Sequence, residues 1–316
     1  MGAEKAIDVQ HVTKYYGKHL AIEDVSFSVD KGEIFGFIGP NGAGKSTLIR
    51  ILLNLIFPTQ GTARIFGKDV VQESKTVRGM LGYLPSEIHY YEDLRVKDLL
   101  AYSAAFYPGG RKNRTTGQAG RKSRIAELAE RLQLDLEKKI GDLSFGNRKK
   151  VGIIQAMLHE PPLYIFDEPT NGLDPLIQHA FFDLIREERE KGATIFFSSH
   201  QLAEVQRLCD RVAMIKQGKL LRVEPIEQLM KNQYKKVTLT FAEGRAQEVD
   251  WPDVVQQEVS GHTVKLIYKG TSQDLIRRLQ QLPITDLLVE EPSLEEIFLH
   301  EYEEEYEKAT AAKRND

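Results

Sequence analysis

The chain has 316 residues, of which 41% are hydrophobic and 28% charged, with a formal net charge of −3. That is enough apolar material for one large domain or two ordinary ones, and the near balance of charge argues against a protein built to coat nucleic acid. The single cysteine, Cys209, excludes a disulfide framework and a cysteine-based metal cluster, and reads as a buried structural thiol.

The opening residues, MGAEKAIDVQHV, carry no long apolar run behind a basic start, which reads against a secretory signal. Gly2 is followed by Ala6 where myristoylation needs a Ser or Thr. Short β-rich runs, VSFSV and IFGFIG, then lead to a glycine loop and a helix with Leu48, Ile51, Leu52 and Leu55 at helical spacing. The most apolar stretch, Ile49 to Phe57, is short and broken by Arg50 and Asn54. A membrane span needs roughly 20 apolar residues, so no crossing is expected from this chain alone.

The glycine loop is GPNGAGKST: Gly39, Pro40, Asn41, Gly42, Ala43, Gly44, Lys45, Ser46 and Thr47. It fits G-x-x-x-x-G-K-[ST] in full, behind a strand and ahead of a helix, which is the setting the motif requires. Gly42 and Gly44 can take backbone angles that turn successive N–H groups toward phosphates, and the helix N-terminus adds partial positive charge. Lys45 then reaches the β- and γ-phosphates, and the Ser46 hydroxyl is placed to ligate Mg²⁺.

Leu94 to about Lys139 reads as helical, in RVKDLLAYSAAFY and RIAELAERLQL. Between these lies Pro108 to Arg124, with six cations and no acids. It reads as a solvated, mobile loop or, alternatively, as a surface for a phosphate-rich or acidic partner. The turn Leu143-Ser144-Phe145-Gly146-Asn147 follows, then three cations and an apolar helix. It holds no nucleophile paired with a base and no metal-ligand set. On its own it is a helix capped by Ser144.

LYIFDEP is an apolar strand ending in Asp167 and Glu168. Asp167 is placed to hold Mg²⁺, and Glu168, past the strand end, to polarise an attacking water. FFSSH sets His200 at the end of another strand of the same kind, where it can donate to a γ-phosphate. Such apolar runs suit strands buried on both faces of a mostly parallel sheet. After about Leu221 the pattern changes. KKVTLTFAE and HTVKLIYKG alternate with period two, TSQDLIRRLQQL reads as a helix, and Ser293 with Glu296 opens an acidic helix in capping-box spacing.

Taken together, the loop Gly39–Thr47, the LSFGN turn, LYIFDEP, the TNGLD that follows it and His200 resemble the ATPase subunit of an ABC transporter, over roughly residues 5–222. The resemblance implies an α/β fold: a P-loop NTPase core of the ABC ATPase type with a helical subdomain at about 86–158. It places the ATPase domain at 1–222, a linker at 223–234 and a small α+β accessory domain at 235–316. ATP and Mg²⁺ are the implied cofactors, and Glu168, His200 and Lys45 the implied catalytic groups. Tyr16, rather than Tyr15, would stack on adenine. Ser144, Phe145, Gly146 and Asn147 would act in trans, meeting the γ-phosphate held by a second copy's loop in a head-to-tail dimer. Asn171, Gly172, Leu173 and Asp174 would link the two sites.

Two departures from the family pattern stand out. Phe145 and Asn147 replace residues of the usual LSGGQ. Ser86, followed by Glu87, stands where the family has a glutamine that touches Mg²⁺ and relays nucleotide state to a membrane subunit. Ser86 is too short to do both directly, which leaves a water bridge or a role for Glu87. The tail SLEEIF is similar to that of bacterial exporter ATPases whose membrane subunit is a separate polypeptide. The implied partners are a second copy and an integral membrane permease, with no nucleic acid, at the cytoplasmic face of the membrane. Tyr90 and Tyr91 are either anchors for that permease or core packing, and the accessory domain is either a dimer cap or a regulatory contact. The rival reading is a non-transport ABC ATPase acting on ribosomes or DNA. The chain lacks the second cassette or the coiled-coil insertion those usually carry.

Overall fold

Two twelve-residue strands, β1 (Lys5–Tyr16) and β2 (His19–Asp30), pair antiparallel and begin the computed structural model, which describes residues 4–107, 118–231, 234–242 and 248–290. The chain continues through β3 (Ile34–Ile38), α1 (Lys45–Leu52), β4 (Gln60–Ile65), β5 (Lys68–Asp69), α2 (Ser74–Arg78) and β6 (Leu81–Leu84). Three helices follow, α3 (Val96–Ala105), α4 (Gln118–Arg131) and α5 (Phe145–Met157). Then come β7 (Leu163–Asp167), α6 (Pro175–Glu190), β8 (Thr194–Ser199), α7 (Leu202–Leu208), β9 (Arg211–Lys216) and β10 (Lys219–Pro225). Contacts divide the chain into two compact units, Met1–Glu224 and Pro225–Asp316.

The first unit is built on a ten-stranded sheet in the order β5-β4-β1-β2-β10-β9-β3-β8-β7-β6. The all-apolar runs occupy its interior: every residue of β3, β7 and β8 is buried. They are parallel, with Ile38 opposite Ser199 and Asp167 opposite Ser198. This register brings the loop after β3, the acids after β7 and the residue after β8 to one edge, where open α/β sheets bind ligands. Phe27, Phe35, Phe37 and Phe196 stack beneath it at centroid distances of 5.4 to 6.2 Å.

Two expectations are corrected here. The helix after the glycine loop stops at Leu52, because Asn54 takes a left-handed turn (φ 50°), so Leu55 leaves the apolar face and is 58% exposed. Part of the expected basic loop is helical, since α4 begins at Gln118. Arg124 within it is not solvated. Its side chain is 12% exposed and meets Glu188 at 2.8 Å, and Glu188 also accepts from the Tyr164 hydroxyl at 2.8 Å. Arg131 meets Glu187 of the same α6 at 2.6 Å. These pairs fasten the helical region to the sheet's helix. Residues 108–117 lie outside the described part.

The second unit opens with α8 (Ile226–Lys231), within the stretch read as a linker. Its antiparallel sheet has the order β12-β13-β11-β14, from β11 (Tyr234–Phe241), β12 (Val254–Ser260), β13 (Thr263–Lys269) and β14 (Ile284–Glu290). Helix α9 (Ser272–Leu279), capped by Thr271, lays Leu275 and Leu279 on the core formed by Val237, Leu239, Val264, Leu266 and Tyr268. The period-two runs are the two central strands. The flanking β12 and β14 were not expected, and β14 shows why: nearly all its side chains are exposed, so no burial alternation marks it. The acidic helix expected after Ser293 lies outside the described residues.

The phenylalanine stack supports the edge where the loops converge. Phe196→Ala is expected to cost about 3–5 kcal/mol, as buried aromatic truncations do. A denaturant titration of the first unit's unfolding reads this as a lowered midpoint.

Candidate functional site

The loop between β3 and α1 is shaped by its glycines. Gly42 and Gly44 have φ of 79° and 107°, angles that residues with a Cβ avoid. The turn they make lets consecutive N–H groups face one way, an anion-binding arrangement at a helix N-terminus. Lys45 is buried, and its ammonium donates to the Gly39 carbonyl at 2.7 Å and the Pro40 carbonyl at 3.2 Å. It also lies 3.3 Å from Oε1 of Glu168.

Two carboxylates face this loop from the end of β7. Asp167 is buried and accepts from the Ser46 hydroxyl at 3.1 Å and the Ser198 hydroxyl at 2.6 Å. Glu168 is left-handed (φ 47°), a conformation costing about 1–3 kcal/mol for a residue with a side chain. Its N–H is held by Ser198, through the carbonyl at 3.2 Å and the hydroxyl at 3.1 Å. The turned side chain accepts from Asn171 Nδ2 at 2.7 Å and lies 3.4 Å from His200 Nδ1. Burial works against its charge, but Lys45 and His200 hold the carboxyl below the usual carboxylate range, with hydrogen bonds from Lys45 and Asn171. It is therefore ionised at neutral pH.

Ser144 caps α5, accepting from the Asn147 N–H at 3.3 Å. That bond occupies an acceptor lone pair and leaves the hydroxyl proton free to donate. A Cβ on Gly146 would come within 2.4 Å of the Gly172 carbonyl oxygen, so only glycine permits this approach. The Phe145 ring, 57% exposed, lies against Gly172 from the other side. Asp174 caps α6 through the Ile177 N–H at 3.0 Å, and Leu173 is buried. The turn 144–147 and the loop 171–174 thus touch within one chain, and Asn171 carries the contact on to Glu168.

The remaining candidates divide. Tyr15 and Tyr16 are both exposed at the end of β1, and Lys14 lies 5.3 Å over the Tyr16 ring. Tyr91 is 73% exposed, whereas Tyr90 is partly buried with its phenol pKa raised by that burial. Glu87 is exposed and Ser86 partly buried. Cys209 is buried and its thiol pKa pushed well up by burial, as a structural thiol's is. Sequence reasoning passed over two residues. Ser198 stands in FFSSH, two positions before His200, and joins the Asp167 carboxylate to the Glu168 backbone N–H. Lys149, one of three consecutive cations, is buried and donates to the carbonyls of Pro85 at 3.1 Å and Ser86 at 2.9 Å. Its helical spacing from Ile153 and Ala156, both buried, was the available signal.

Comparison with known proteins shows which family the chain resembles. Residues 22–171 match the family model described as ABC transporter, and 226–302 match the C-terminal domain of DrrA1-3-like ATP-binding proteins. The chain is 32% identical over 309 residues to the Nod factor export ATP-binding protein I of Rhizobium sp. (strain N33), covering 96% of this chain and 99% of that one. A solved ATP-binding subunit of an ABC transporter shares 33% identity at a TM-score of 0.65, covering 72% of this chain and 92% of that one. A dimeric bacterial ABC transporter cassette shares the fold, with 24% identity and a TM-score of 0.62, covering 70% of this chain and 98% of that one. The chain belongs to the ABC transporter family, as one of its ATP-binding and ATP-hydrolysing subunits.

Proposed function

We propose that the chain powers export through a separate membrane subunit, by closing on ATP as a head-to-tail pair and reopening after hydrolysis. The observation that carries this is the convergence of Lys45, Asp167, Glu168 and His200 at one sheet edge, with the signature turn joined to it through Asn171 and Gly172. Export itself rests on the likeness to the Nod factor export ATP-binding protein.

Lys45 leaves the Gly39 and Pro40 carbonyls and binds the β- and γ-phosphates of ATP, while the loop N–H groups cradle them. Tyr16 stacks on the adenine. The Ser46 hydroxyl and Asp167 carboxylate, hydrogen-bonded at 3.1 Å, are adjacent hard oxygen donors of the kind Mg²⁺ takes beside substrate phosphates. They would hold the ion, which would neutralise charge between the β- and γ-phosphates. Glu168 polarises a water for in-line attack on the γ-phosphorus, His200 donates to a γ-oxygen, and the bond to the bridging oxygen breaks to leave ADP. Asn171 fixes the Glu168 carboxylate that does this.

The Ser144 hydroxyl and the Gly146 backbone meet the γ-phosphate held by the second copy, so ATP binds the closed pair more tightly than the open one. Shifting a pair from 1:99 to 99:1 closed requires about 5.5 kcal/mol of differential binding, which two composite sites divide. Loss of the γ-phosphate removes the bridge. The membrane subunit docks at the turn 86–91, beside a cavity of about 530 Å³ lined by Glu87, His89, Leu143, Phe145 and Arg148. No helix of the described residues is long and apolar enough to cross a membrane, in keeping with a peripheral subunit on the cytoplasmic face. The second unit strengthens the dimer.

Glu168→Gln is expected to lower ATP turnover at least about 100-fold, the usual scale for losing a general base, with ATP affinity retained. Steady-state hydrolysis and equilibrium nucleotide binding check it; near-normal hydrolysis rules out Glu168 as the base. Ser198→Ala removes a donor to Asp167 and an acceptor for the Glu168 N–H. Hydrogen bonds to charged groups are worth about 1.5–3 kcal/mol, so kcat is expected to fall about ten- to a hundredfold. Affinity purification from membranes of the native host tests the partner: an integral membrane protein is expected, and ribosomes or DNA in its place would contradict the transport reading.

A further inference from the structure

Lys149 has no part in the cycle just described, yet its environment is unusual for a lysine. It is 1% exposed, in the second turn of α5. Long cationic side chains are almost never fully buried unless paired. No carboxylate among the described residues lies within ion-pair distance of it. Its ammonium donates instead to two consecutive backbone carbonyls, Pro85 at 3.1 Å and Ser86 at 2.9 Å. Burial pushes its pKa down to about 8, against an opposing pull from Asp167 and Glu168, so it is still a cation at neutral pH.

Those two carbonyls are not arbitrary positions. Strands β6 and β7 are parallel neighbours with Leu84 opposite Phe166. The residues just after Leu84, Pro85 and Ser86, therefore leave the sheet beside Asp167 and Glu168. The other end of the link is equally placed. Lys149 stands five positions after Ser144, on the helix that Ser144 caps and that Gly146 presses against Gly172. One side chain thus ties the helix behind the signature turn to the turn that leaves the sheet at the catalytic acids.

We propose that Lys149 is the positioning residue that holds the turn at Pro85 and Ser86 to the signature helix, supplying from α5 the link to the nucleotide site that the short Ser86 side chain cannot make. The Lys149 ammonium orders the turn by its hydrogen bonds to the Pro85 and Ser86 carbonyls. Movement of the signature helix and of the coupling turn is then one movement. The inference rests on the roles given above to Glu168 and the 86–91 turn.

The test uses the full-length protein and follows ATP hydrolysis, ATP KM and thermal midpoint together. Lys149→Met keeps length and apolar packing but removes the donors. Its kcat is expected to fall about tenfold or more, with KM within twofold and the midpoint within a few degrees, because Lys149 touches no part of the phosphate loop. Lys149→Arg, which keeps a cation and its donors, is expected to stay within threefold of wild type. Lys149→Met combined with Ser86→Gln is expected to recover at least a third of the wild-type kcat, since the longer side chain restores the link from the other side. Should Lys149→Met not fold, Lys149→Gln, polar but too short to reach both carbonyls, reads the same quantities. Wild-type kcat in the Met or Gln variant overturns the proposal. So does a loss that follows the thermal midpoint and is recovered neither by arginine nor by glutamine at position 86. Glu168→Gln, assayed alongside, reports on the catalytic assignment separately: normal hydrolysis there counts against that assignment and leaves the Lys149 comparison readable.

Discussion

Two carboxylates in succession, Asp167 and Glu168, end a strand in the interior of the sheet, and adjacent buried negative charges are unfavourable unless each is given its own partners. The fold separates them. Asp167 stays in line with β7 and receives the hydroxyls of Ser46 and Ser198. Glu168 is turned away by a left-handed backbone that Ser198 holds, and receives Lys45, Asn171 and His200. The partners come from three segments: the helix after the phosphate loop, the neighbouring strand with the residue just past it, and the loop ahead of α6. The parallel register of β3, β7 and β8 is what brings those segments to one edge. The hydrogen-bonded acid is suited to a metal, and the turned one to a water.

From this pair, contacts run outward to the helix α5. Asn171 leads through Gly172 to Phe145 and Gly146, and so to the helix that Ser144 caps. Lys149, on that same helix, leads back to the turn that follows β6. The turn 144–147 is thus joined to Glu168 through Asn171, and the helix behind it to the turn after β6 through Lys149. The helical region as a whole is secured to α6 by Arg124 with Glu188 and Arg131 with Glu187. Breaking a buried pair such as the first typically costs about 3–5 kcal/mol, so the region is expected to move with α6 and not independently of it.

Much of this was legible in the sequence, for physical reasons that can be named. Strands covered on both faces need continuous apolar runs, and IFGFI and LYIFD show them. A phosphate cradle needs glycines at positions of positive φ followed by a lysine, and GPNGAGKST supplies both. The residues that were not legible owe their roles to distant neighbours. Ser198 looks like an ordinary strand terminus until β7 is placed beside it. Lys149 was hidden in a run of three cations ahead of an apolar helix, and Arg124 in a basic segment, read as a solvated loop, whose described end is helical and paired. Leu55 was misplaced because a left-handed Asn54 ends the helix early, and β14 escaped notice because an exposed edge strand has no burial alternation to display.

The account turns on Ser144 serving a nucleotide that its own chain does not hold. A cryo-EM structure of the full-length Glu168→Gln protein with Mg-ATP addresses that directly. It should contain two copies, with the Ser144 hydroxyl of each within hydrogen-bond distance of the γ-phosphate seated in the other's Gly39–Thr47 loop. An ATP-loaded structure in which Ser144 faces solvent, with no second copy's nucleotide beside it, would contradict the account.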